Sequence, residues 1–162
     1  MEKYRDQGAI GALLDEYERA ISHLKAVIKD LNPDQLTTIV DPETNDPDCK
    51  SIQTILTHVV RSGYGYAIVV RKHLGEDIDY LERVKLKSSE AYQLALTEMF
   101  AYNEKLFQDY PNLVLEEYDD QKKILVRWGQ KYDVEQLFEH AIVHIMRHRR
   151  QIERFLIRLS NK

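Results

Sequence analysis

Cysteine occurs once, at Cys49, so no internal disulfide can form, and the count suits a reducing cytosol. Glycine and proline are scarce, six and four in 162 residues, and the prolines all fall between the periodic segments. That is a helix-rich composition. No run of about 18 apolar residues occurs, and Met1 to Gly8 lack the apolar core of a secretory signal. These absences predict a cytoplasmic chain with no membrane partner. Neither charge sign dominates: the net charge is −4 with 31% charged residues of mixed sign, which gives no general pull toward nucleic acid. The length suits one domain over 1–162, and a domain of this size buries about 68–70% of its unfolded surface without needing staples.

What is present is helical periodicity. Ile10, Leu13, Leu14, Tyr17, Ile21, Leu24, Ile28 and Leu31 recur at three- and four-residue steps and predict a helix over 7–31. Asn32-Pro33 ends it, and Asp34 to Leu36 can add a short turn. Residues 37–50, with two prolines and three aspartates, read as a loop. Ser51 caps a second helix that runs to about Leu74, and Ser88 or Ser89 a third that runs to about Asp109. Ile124 to Trp128 is β-prone and precedes Gly129-Gln130, the pattern of a short extended arm or hairpin. Asp133 with Gln136 forms a capping box for a fourth helix that runs to about Leu159. The expected fold is all-α: a four-helix antiparallel bundle with that arm before the last helix.

Three of the six histidines, His140, His144 and His148, stand four residues apart on this last helix. Neighbouring rings at that spacing reach one small ion. At about 100° per residue, His148 lies roughly 50° from the apolar direction, His144 roughly 90° and His140 roughly 130°. The phase favours His144 with His148, and His140 with His144 is the second choice. On the second helix His58 lies roughly 130° from the apolar centre. Its strip of His58, Ser62, Gly65 and Val69 is mostly small and can wall a substrate pocket, with Ser62 as a binding residue. His58, His144 and His148 would leave a coordination position open, the catalytic form of a zinc site; nickel accepts the same ligands.

Other residues read more plainly. His23 lies on a polar helix face, and His73 suits a helix end. Cys49 has no activating neighbour beyond Lys50. Trp128 reads as a packing residue rather than a substrate platform.

The order and spacing of these motifs resemble the DinB/YfiT-like superfamily of four-helix-bundle metalloenzymes. The residues that carry the resemblance are Ser51 to His58 opening the second helix and His140-x3-His144-x3-His148-Arg149-Arg150-Gln151 in the last. The long first helix ending at Asn32 to Leu36 and the arm with Trp128-Gly129 extend it over nearly the whole chain. The resemblance implies metal ligation by His58, His144 and His148, and a reaction of transferase or isomerase type that uses a low-molecular-weight thiol such as bacillithiol or mycothiol. Relatives often read His-Arg-Gly-Gln where this chain has Arg150, so a long cation is expected to line or block the substrate pocket.

Three functions compete. A metal-dependent transferase or hydrolase acting on a small molecule ranks first. A binding module would use Arg147, Arg150, Arg154 and Arg158 as a cationic face, which the acidic total charge and Glu139 and Glu153 on the same helix oppose. A bundle serving only in association, most simply as a homodimer, would use the apolar arc from Ile55 to Val60.

Overall fold

The computed structural model describes residues 4–161, which form an all-α fold with one two-stranded ribbon. In chain order the elements are α1 (Gly8–Ile28), α2 (Pro33–Thr37), a 3-10 turn (Pro47–Cys49), α3 (Ile52–His73), α4 (Ser89–Asp109), β1 (Ile124–Leu125), β2 (Lys131–Tyr132) and α5 (Val134–Ser160). Side chains set the starts of α3, α4 and α5. Ser51 Oγ accepts from Thr54 N at 3.1 Å, Ser88 Oγ from Ala91 N at 3.2 Å and Asp133 Oδ1 from Gln136 N at 2.8 Å. Each such cap contributes about 1 kcal/mol. α1 ends at Ile28 rather than near Leu31, because Asn32 is extended and caps α2 with Pro33 at its first position.

α1 packs on α4 and α5, and α3 packs on the same two helices. Four aromatic rings join α1, α4 and α5: Tyr17 lies 5.8 Å from Phe100 and 6.3 Å from Phe138, and Phe138 lies 4.9 Å from Phe107, all edge-to-face. Ile55, Leu56 and Val59 are fully buried in this core and Val60 is half-buried. The arc expected to serve a homodimer is therefore consumed within the chain. Gly63 lets α3 approach α4, since a Cβ there would sit 2.3 Å from Met99 Sδ; the buried Asn103 Nδ2 donates to Gly63 O at 3.0 Å.

The extended arm is a hairpin. Ile124 pairs with Tyr132 and Leu125 with Lys131, and Gly129 takes the positive φ of +86° that the turn requires. Ile124 and Val126 are buried, which presses the ribbon onto α3 and leaves Trp128 at its tip above α5. Among the described residues no helix is long and apolar enough to cross a membrane.

Candidate metal centre

His58 lies near the start of α3, and His144 and His148 lie in the middle of α5, on facing surfaces of two packed helices. Their ligand atoms all fall within 4.8 Å of one another, and His58 Nε2 stands 2.9 Å from His144 Nε2. Zinc–nitrogen bonds of 2.0–2.1 Å in a tetrahedron put the nitrogens about 3.3 Å apart, a value these distances bracket. The three residues lie close enough to hold one metal ion.

The rings are aimed by their other nitrogens. His58 Nδ1–H donates to Asp48 Oδ2 at 3.1 Å, and His148 Nδ1–H donates to Gln151 Oε1 at 3.0 Å. With those protons committed, both rings turn an Nε2 lone pair inward, the tautomer a metal site needs. Asp48 is itself clamped by Arg83, through Nη1 to Oδ1 at 2.5 Å and Nη2 to Oδ2 at 3.0 Å. His144 Nδ1 is buried with no hydrogen-bond partner among the described residues. The Cys49 thiol lies 3.8 Å from Gln151 Oε1 and 3.4 Å from Asp46 Oδ2, and burial raises its pKa, which keeps it protonated.

Sequence phase placed His144 and His148 correctly beside the core: both are buried. His58, aimed outward by phase alone, is half-buried and faces them. His140, the second choice, falls outside the set. Its ring stacks on Trp128 at 5.3 Å and meets the Tyr132 hydroxyl at 3.4 Å, so the hairpin occupies it. Ser62 does line a cavity, of about 110 Å³, shared with Tyr66 and Trp128. Trp128 packs on His140 and Tyr132 as a packing residue would, yet is half-exposed and also walls this cavity. Arg150 does not line this cavity. Two residues beyond His148 is roughly 200° around the helix, and Arg150 is accordingly exposed in a shallow depression beside Met146 and Glu153. The arginine whose charge bears on His144 and His148 is Arg147. A larger cavity of about 500 Å³, between His73, Asp109 and Asp133, touches none of the three histidines.

Sequence reasoning missed Asp48 and Arg83, while the reading of Cys49 as an unactivated thiol agrees with its raised pKa. Asp48 is one of three aspartates in a loop, and only the 3-10 turn brings it to His58. No sequence signal singled it out.

Burial first, then the facing His148 and His58, pushes the His144 imidazole down to about 2; burial and His58 lower His148 in the same direction. Unfolding returns each ring to its ordinary value near 6.5, so below that pH the unfolded chain binds more protons than the folded one. Stability of the metal-free chain is therefore expected to fall as pH drops from 7 to 5. The slope approaches about 1.4 kcal/mol per pH unit for each ring held neutral. Urea titrations at the two pH values measure it, and equal stabilities would contradict it.

No protein-family model, curated protein or solved structure matches this chain.

Proposed function

We propose that this chain is a divalent-metal-dependent enzyme of the DinB/YfiT-like kind, an antiparallel four-helix bundle. In it His58, His144 and His148 hold one ion, zinc or nickel. The observation that carries the reading is the convergence of three imidazoles to within 4.8 Å, two of them with the outer nitrogen engaged by Asp48 and Gln151. A chance cluster of histidines has no need of such aiming, whereas ligating histidines depend on it.

The donor set fits a borderline metal, and three ligands leave a position for a small molecule. An ion held there supplies Lewis acidity and favours the deprotonated form of water or a thiol. The protein's own part is to fix geometry. Arg83 orients Asp48 by pairing with both of its oxygens, Asp48 accepts the proton on His58 Nδ1, and Gln151 does the same for His148. Tyr66 packs its ring edge-on, 5.9 Å from that of His144, and shields it from bulk water. The reaction class is transfer or hydrolysis on a small molecule, with a low-molecular-weight thiol as the co-substrate that the resemblance implies.

Elemental analysis of untagged protein is expected to find about one divalent ion per chain. Asp48→Ala is expected to weaken metal affinity about 10–100-fold with an unchanged helical circular dichroism spectrum. A folded wild-type chain that takes up no metal from a supplied excess overturns the reading.

A further inference from the structure

Glycine inside a helix costs about 1 kcal/mol relative to alanine, so an interior glycine calls for a reason. Gly63 has one in Met99. Gly65, two residues on in α3, has none of that kind: a Cβ there meets nothing within 4 Å. The open space belongs to the cavity of about 110 Å³ that Ser62, Tyr66 and Trp128 also line.

We infer that this cavity binds a small organic anion with a flat apolar body, such as an aromatic carboxylate, and that Gly65 is the residue that keeps it open. Its size excludes drug-sized ligands, whose sites run to about 300–1,000 Å³; its Trp128 wall is half-exposed, so a single flat ring can enter with its polar end left at the mouth. Three aromatic side chains, Tyr66, Tyr80 and Trp128, give it flat apolar walls. Charge comes from two arginines. Arg61 is anchored by Nε donating to Leu81 O at 3.1 Å, and Arg127 lies 4.9 Å over the Tyr80 ring. Neither forms an ion pair among the described residues, and no Asp or Glu lines the cavity. Guanidinium groups without carboxylate partners, held by neutral contacts, suit a carboxylate. The stack of Trp128 on His140 and its Nε1–H donation to Gln130 at 2.8 Å fix the indole wall before any ligand arrives.

The cavity adjoins the histidines. Ser62 is one helical turn beyond His58, and Tyr66 contacts both the cavity and the His144 ring. That this is where the body of the substrate rests depends on the metal-enzyme reading; the binding itself requires no ion.

Trp128 is the only tryptophan, so its fluorescence reports on the pocket directly. The full chain, with and without added zinc, is titrated with benzoate, with its neutral analogue benzyl alcohol and with acetate. Benzoate is expected to quench saturably, and the other two to bind at least about tenfold more weakly, the loss of one charge-assisted or one apolar contact. Gly65→Leu, folded by circular dichroism, is expected to lose the saturable quench. Gly65→Ala, which improves helix propensity, is expected to weaken it partway. Arg127→Gln is expected to lower benzoate affinity about tenfold and leave benzyl alcohol unchanged. Saturable benzoate binding by a chain that takes up no zinc supports the pocket while removing the metal reading. Linear quenching by benzoate in the wild type, or unchanged affinity in folded Gly65→Leu, overturns the inference.

Discussion

Replacing His144 with alanine is expected to lower the metal retained after dialysis from about one ion per chain to almost none. His144 is the central member of the set, its ring 4.9 Å from that of His58 and 4.5 Å from that of His148. Alanine is the best helix former, so α5 should persist. The truncation removes a buried ring whose Nδ1 makes no hydrogen bond among the described residues, so no polar partner is stranded on that side. His140→Ala provides the contrast: it removes a ring held by Trp128 and Tyr132, and full metal retention is expected. Full occupancy in the His144 variant, measured by elemental analysis, would sink the three-histidine assignment.

Phe138→Ala is expected to lower unfolding free energy by about 3–5 kcal/mol, the range for removing a buried phenylalanine. Phe138 is fully buried and its ring meets Tyr17 of α1 and Phe107 of α4, so one side chain holds α5 against two helices. It stands six residues before His144, and the same packing sets the depth at which the histidines sit. A urea titration with unchanged slope gives the difference; a loss below about 1 kcal/mol would show that the core collapses around the gap.

The boundaries of α3, α4 and α5 were legible because each begins with a hydroxyl or carboxylate in capping position and carries an apolar stripe of helical period. The hairpin was legible from Ile124 to Trp128 and the glycine after them. His144 and His148 followed from phase, since residues beside an apolar stripe are carried toward the core. Phase failed for His58, where the count of apolar neighbours treats every non-apolar direction as solvent. That direction faces α5, and the small residues Ser62 and Gly65 line a cavity there. Phase rightly set His140 apart from the pair, but could not foresee its cover by Trp128, which comes from a separate segment. Asp48 comes from a single 3-10 turn and Arg83 from irregular chain, where position depends on the folded whole. Arg150 was misplaced by aligning it with a motif instead of following its angle around α5.

His58 and His144 are 86 positions apart in sequence, yet their ring nitrogens nearly touch. Bringing such distant points together requires closing a long loop, and the entropy of that closure is supplied by the helix packing and not by the histidines. A peptide copied from α5 would carry the His144–His148 pair without its partner across the fold, and with it only a fragment of the affinity. The three-histidine cluster is a property of the assembled topology, absent from any linear stretch. An ion held by the three histidines would bind the folded chain in preference to the unfolded one, which would make occupancy and folding two readings of one equilibrium.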